Sequence, residues 1–297
     1  RGARALPARA RPPAEAAGFL APKLRDLLPD PLTLRDMDVA AERLVDAAVN
    51  GQRIAIFADY DVDGGSSAAL LIDWLHQHGR QATLYIPDRI DEGYGPNVPA
   101  MTALAAAHDL IVCVDCGTLS HDALAAAAGC DVIVLDHHLG GETLPPALAV
   151  VNPNRMDEDG ALGHLCAAGV VFLTLVQAGR VLRQRGLPQP DLMAMLDLVA
   201  LATVADVAPL VGVNRAFVRQ GLAVMARRQR AGLVALSDIA RLDGAPSAFH
   251  LGFLLGPRIN AGGRVGRADL GALCLSCRDA SQADQLARQL DALNSDR

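Results

Sequence analysis

Aromatic side chains are scarce in this 297-residue chain: phenylalanine, tyrosine and tryptophan together make up 3% of it, and Trp74 is the one tryptophan. Base stacking therefore cannot be the main source of affinity for any nucleic acid the chain binds. Positive charge is not in excess either. The net charge is −6, so the composition does not advertise a basic nucleic-acid footprint. The apolar stretch from Leu192 to Val213 is no membrane span, because Asp197 and Asp206 interrupt it and Pro209 breaks its helix. No internal repeat is visible. An apolar signal segment is missing from the start, which points to a reducing, cytoplasmic setting. The six cysteines include two CxxC pairs, Cys113/Cys116 and Cys274/Cys277. Cys113 lies within an apolar run and the second pair among apolar neighbours, so buried free thiols are expected rather than zinc ligands.

What is present is ample core material, 51% hydrophobic. The Arg-, Ala- and Pro-rich start predicts a disordered or extended tail over residues 1–30, although such acid-poor ends also occur on transit peptides. A helix is expected over Asp36 to Asn50. Short apolar runs then read as strands buried on both faces: Arg53–Ala58, Gln81–Ile86, Leu110–Asp115, Asp131–Leu135 and Leu148–Val151. Helical periodicity fills the stretches between them, at Ser66 to His78, Val98 to Ala107 and Ser120 to Ala128. After Asn152-Pro153-Asn154 only helical spacing recurs. The fold class is α/β: a parallel five-stranded sheet flanked by helices over residues 31–212, followed by a helical region over 213–297.

Three strand ends carry acids. Asp59-Tyr60-Asp61-Val62-Asp63 follows the first, Asp115 closes the third, and Asp136-His137-His138 follows the fourth. One such cluster would read as a solvated turn, but in open parallel sheets ligands collect at the carboxyl ends of the strands, so the three converge on one crevice. Like charges that close repel unless a multivalent cation holds them ionised. Carboxylates and imidazole without thiolate suit Mn²⁺ or Mg²⁺. The donors exceed what one octahedral ion needs, which favours two ions about 3.5–4 Å apart, with Asp115 able to bridge them.

These segments resemble the motifs of the DHH phosphoesterase family, and within it the RecJ-like single-strand-specific exonucleases. Further segments fit in the same order: Arg89-Ile90-Asp91-Glu92-Gly93-Tyr94-Gly95, Ala168 to Phe172, Ala202 to Leu210, and Gly256-Pro257-Arg258-Ile259-Asn260-Ala261-Gly262-Gly263-Arg264. Small departures are Gly65-Ser66-Ser67 in place of Ala-Thr-Ser and Gly262 in place of Ala. Phe57 stands where related enzymes often place a histidine. RecJ-like chains continue into a DHHA1 domain with a Gly-Gly-Gly-His segment, and none is present before Arg297, so the sequence reads as a fragment.

The resemblance implies metal-dependent 5′→3′ hydrolysis of single-stranded DNA in repair and recombination. It assigns Asp61 to one divalent cation, Asp63, His137 and Asp206 to the other, and Asp115 to both, with Mn²⁺ ahead of Mg²⁺. Asp59 would help complete the first shell, Asp136 would orient an imidazole, and His138 would donate to the phosphate or protonate the leaving oxygen. The two histidines, adjacent on a turn, are expected to serve different ends. Arg89, Arg258, Asn260 and Arg264 would contact substrate, the arginines through bidentate phosphate pairing. A single-strand-binding protein or a helicase is a candidate partner, no membrane is implied, and a monomer is expected. Two alternatives remain open at this point: a DHH phosphodiesterase for short oligonucleotides or cyclic dinucleotides, and a catalytically inactive DNA-binding scaffold.

Overall fold

The computed structural model describes residues 16–89, 91–265 and 267–296. The first half follows the β-α-β order read from the sequence. Helix α3 (Met37–Val49, after two short helices named below) leads into β1 (Ile54–Ala58), α4 (Val62–Gln77), β2 (Ala82–Tyr85), α5 (Val98–Ala107), β3 (Leu110–Val114), α6 (His121–Ala125), β4 (Asp131–Leu135) and β5 (Ala149–Val151). All strands are parallel, in the order β2-β1-β3-β4-β5.

Alternation along each strand decides which layer a side chain joins. Ile54, Ile56, Ala58, Val112, Val114, Ile133 and Leu135 face the larger core with α3, α4 and the later helices. Ala55, Phe57, Ile111, Cys113, Val132 and Val134 face a smaller one under α5 and α6. Every residue of β1 and β3 is buried, as a central strand covered on both faces requires.

The second half is helical: α7 (Ala167–Gln184), α8 (Leu196–Ala205), α9 (Gly212–Met225), α10 (Ala231–Ile239), a π-helical turn over His250–Leu255, α11 (Gly256–Val265), α12 (Leu270–Ser276) and α13 (Ala280–Ser295). These helices share the larger core, which runs from Leu34 to Leu290. Backbones approach closely at glycines. A Cβ on Gly221 would lie 2.2 Å from the Leu196 carbonyl oxygen, and one on Gly232 would lie 1.8 Å from that of Cys274.

The structure corrects the expected tail in part. Residues 1–15 lie outside the described residues. Beyond them, α1 (Ala16–Leu20) and α2 (Leu24–Leu27) are helical, and α9 anchors them: Arg215 donates to the Phe19 carbonyl and Arg219 to the Pro22 carbonyl. The Gly-rich segment around Arg258 and Arg264 is helix α11, and its glycines are sites of close packing rather than of chain reversal. Among the described residues all six cysteines are free and none joins a group able to hold a metal. No described helix is long and apolar enough to cross a membrane.

Candidate metal centre

The sheet order changes direction between β1 and β3, the switch point at which open parallel sheets hold their ligand crevice beyond the carboxyl ends of the strands. Asp59 leaves β1 and accepts the Tyr60 amide at 2.8 Å. Asp61 caps α4, accepting the amides of Asp63 at 2.8 Å and Gly64 at 3.0 Å. Gly64 makes that tight entry possible, since a Cβ there would lie 2.4 Å from the Asp59 carbonyl oxygen. Asp63, buried in the first turn of α4, accepts the amides of Ala167 at 2.7 Å and Ala168 at 2.8 Å, where the N-terminus of α7 favours negative charge.

Asp115 follows β3 in the left-handed region, at φ 59°, which turns its carboxylate into the crevice. Its Oδ1 is buried without a hydrogen-bond partner. His137 Nε2 lies 3.3 Å from that oxygen, 3.6 Å from Asp63 Oδ2 and 3.9 Å from Asp206 Oδ2. Asp206 reaches the crevice from the end of α8, as expected for an acid set between apolar neighbours.

Among the described residues three groups of donors result: Asp59, Asp61 and Asp115; Asp63, His137 and Asp206; Asp115, His137 and His138, with the ligand atoms of each group within 4.8 Å of one another. Asp115 and His137 each belong to two of them. An orphaned buried carboxylate oxygen shared by overlapping donor sets fits a pair of divalent cations, with Asp115 placed to bridge.

The pKa pattern agrees. Burial, then the Asp61 charge, pushes Asp59 up to about 7. Burial with Asp61 and Asp206 pushes Asp63 up to about 8. Asp115 is raised well above the carboxylate range by burial and the surrounding acids. Asp206 is raised by burial, and burial lowers His137. Cations would displace the protons these groups otherwise retain.

That pattern yields a pH prediction. A carboxyl whose pKa rises on folding from 3.8 to about 7 or 8 favours the fold at acid pH, and that contribution is lost as pH climbs through those values. The shift in melting temperature caused by Mn²⁺, measured against EDTA, should therefore grow from pH 6 to pH 8. A shift that stays constant across this range would count against a carboxylate centre.

Asp136 behaves oppositely. Burial would raise its pKa, but hydrogen bonds from His138 and Thr118 outweigh that and hold it below the usual range. Its Oδ1 accepts the His138 Nδ1 proton at 2.8 Å and the amides of His137 and His138; its Oδ2 accepts the Thr118 hydroxyl at 2.7 Å. The imidazole it orients is thus that of His138, whose pKa it raises. The separation expected between the two histidines is narrower than the sequence suggests: their rings lie 4.6 Å apart and both reach toward Asp115.

Sequence reasoning passed over the residues that brace this turn. Asn152 donates to the Thr118 hydroxyl and the His138 carbonyl, and Asn154 donates to the His137 carbonyl. The Asn152-Pro153-Asn154 turn signal was the available clue. Tyr94 enters the site as well, its hydroxyl 3.4 Å from His138 Nε2.

The expected substrate contacts divide. Arg89 is exposed, its guanidinium 5.6 Å from the Tyr60 ring centroid, and Arg264 is exposed at the end of α11. Arg258 is engaged within the fold: Nε pairs with Asp291 at 2.8 Å and Nη1 donates to the Leu254 carbonyl at 2.7 Å, which ties α11 to α13. Asn260 braces the acidic loop, its Oδ1 accepting the Val62 amide at 3.0 Å. Phe57, in the place of the family histidine, is buried and stacks on Tyr85 at 5.3 Å.

Helix α11 also positions Tyr60 through Gly263, where a Cβ would lie 2.2 Å from Tyr60 Cδ2. Gly263→Ala should cost about 1–3 kcal/mol of stability through overpacking and weaken Mn²⁺ binding by shifting the loop. Calorimetry and thermal melts would show both effects; an unchanged metal affinity would separate α11 from the site.

The sequence pattern of the DHH family, N-terminal domain, matches residues 53–203. The single-stranded-DNA-specific exonuclease RecJ of Dickeya dadantii (strain 3937) is 42% identical over 287 residues, covering 92% of this chain and 50% of that protein. That of Escherichia coli (strain K12) is 39% identical over 276 residues, covering 89% and 48%. A crystal structure of exonuclease RecJ bound to manganese superposes with a TM-score of 0.80 at 37% identity, covering 89% of this chain and 66% of that one. RecJ from Thermus thermophilus in complex with Mn²⁺ gives 0.75 at 35%, covering 89% and 38%. The chain spans about half the length of the curated relatives it matches. Asp59, Asp61, Asp63, Asp115, Asp136, His137 and His138 all fall inside the matched stretch at the sheet's switch point, and on that agreement of pattern with geometry the chain belongs to the DHH family.

Proposed function

We propose that this chain hydrolyses phosphodiester bonds in single-stranded DNA as a metal-dependent exonuclease, in the 5′→3′ direction implied by the resemblance. The observation that carries the reading is the buried, unpartnered Asp115 Oδ1 set between overlapping donor groups. The relatives' names and the manganese-bound neighbours support it.

Asp59 and Asp61 would hold one divalent cation, Asp63, His137 and Asp206 the other, and Asp115 both; Mn²⁺ is the first choice and Mg²⁺ the second. Such ions supply charge that offsets the build-up on the phosphate and makes a water nucleophilic near neutral pH. The rest falls to the chain's own groups. Asp59, grouped with Asp61 and Asp115, would complete the donor set of the first ion. Asp136 holds His138 with Nδ1 as the donor, leaving Nε2 toward the crevice as the source of a proton for the leaving oxygen. Arg89 and Arg264, exposed guanidinium groups, bind the strand's phosphates.

A gel assay on 5′-phosphorylated strands with Mn²⁺ tests the proposal. Single strands should shorten, the matching duplex should resist, and EDTA should stop the reaction. Metal binding without any strand cleavage would refute the exonuclease reading. Cleavage confined to dinucleotides or cyclic dinucleotides would transfer it to the alternative phosphodiesterase.

A further inference from the structure

Tyr94 is 59% exposed, yet its hydroxyl lies beside His138 and the Asp115 backbone. It sits between two glycines in the left-handed region, Gly93 at φ 88° and Gly95 at φ 72°, a double reversal that turns the phenol inward. The loop is tied at its base. Glu92 accepts the Tyr85 hydroxyl from β2, the Asp88 amide at 3.0 Å and the Asn97 side-chain amide at 3.3 Å at the start of α5. The Tyr94 hydroxyl therefore occupies a determined position, 3.4 Å from His138 Nε2 and 3.5 Å from the Asp115 carbonyl oxygen, with the tyrosine and histidine rings edge to face at 6.3 Å.

Hydrogen-bond accounting gives this contact a direction. The Asp136 carboxylate, which is acceptor-only when ionised, engages His138 Nδ1 at 2.8 Å, so Nδ1 carries a proton. The Tyr94 hydroxyl donates to the Asp115 carbonyl oxygen, so toward His138 Nε2 the phenol oxygen is the acceptor. A phenol both donates and accepts, and this one is held at long distances by both neighbours, so it can turn toward a third oxygen beside Asp115.

The geometry points to Tyr94 as a catalytic residue: the outer member of a proton relay from His138 to Tyr94, with Asp136 holding the imidazole in place, that protonates the leaving 3′-oxygen. The inference rests on the phosphodiesterase reading above. As the bond from phosphorus to the 3′-oxygen breaks, that oxygen takes the phenolic proton and the phenol oxygen takes the Nε2 proton. The proton shed by the attacking water, whose oxygen forms the new bond to phosphorus, restores His138. The net change is one water added across one phosphodiester.

Leaving-group chemistry tests the relay. A dinucleotide expels a poor alkoxide and needs the proton, whereas bis(p-nitrophenyl) phosphate expels a stable phenolate and does not. With Mn²⁺, Tyr94→Phe should lower kcat on the dinucleotide by roughly 10²-fold, with less than a twofold change on the activated diester and unchanged Mn²⁺ binding by calorimetry. In a His138→Ala background the same substitution should have no further effect on the dinucleotide. Equal losses on both substrates, or an undiminished loss without His138, would overturn the relay. A readout independent of activity is the ¹⁵N resonance of His138 Nε2 in the Mg²⁺-loaded chain, which should move in Tyr94→Phe; an unmoved resonance also overturns it. Absence of hydrolysis of either substrate by the unaltered chain would instead refute the phosphodiesterase reading, and the NMR comparison would still decide the contact.

Discussion

Asp115→Asn should remove binding of at least one Mn²⁺ and weaken the other by more than the 10–100-fold that outer partners of a metal typically cost. The reason is position: Asp115 belongs to two of the three donor groups found among the described residues, and its Oδ1 has no hydrogen-bond partner. Asparagine is the right replacement because it keeps the shape and tolerates the left-handed backbone at φ 59°, which alanine does less well. Hydrolysis should fall with the metal. The metal-free fold should not weaken, because the substitution removes a buried carboxylate whose charge is opposed by burial and by Asp63, Asp61 and Asp59. Isothermal titration with Mn²⁺ and melts in EDTA check the two halves. Two ions bound with unchanged affinity would defeat the bridging role.

Alanine in place of His137 and of His138 should give different defects although the rings lie 4.6 Å apart. His137 Nε2 faces Asp63, Asp115 and Asp206, so its removal should weaken metal binding and activity together. His138 has Nδ1 engaged by Asp136 and Nε2 beside Tyr94. His138→Ala should lower turnover by roughly 10²–10⁴-fold, while the groups around Asp61 and Asp63 retain their ions. Calorimetry set beside single-turnover rates separates the outcomes. Equal loss of metal in both variants would place His138 among the ligands instead of in the proton path.

Much of this site is legible in the sequence because a parallel sheet gives position along the chain a spatial meaning. Apolar runs ending in Asp59, Asp115 and Asp136 mark strand exits, and strand exits of one sheet lie side by side. The helical half is less legible. Helices α10, α11 and α12 have no separate signature, and α11 in particular is rich in glycine, a poor helix former that nevertheless packs there against Tyr60 and Leu290. The resemblance places Arg258 among the phosphate ligands; its partner Asp291 lies 33 residues away, and only packing of α11 on α13 brings them together.

By itself, then, the sequence determined the sheet, its direction, the acids at its exits and the return of Asp206, since each follows from local periodicity and from the cost of leaving an acid among apolar residues. Tertiary structure alone decided which oxygens are left without partners, which imidazole Asp136 holds and where Tyr94 points. Those depend on distances of a few tenths of an ångström between segments far apart in the chain, and hydrogen bonding is too short-ranged to be read from residue order.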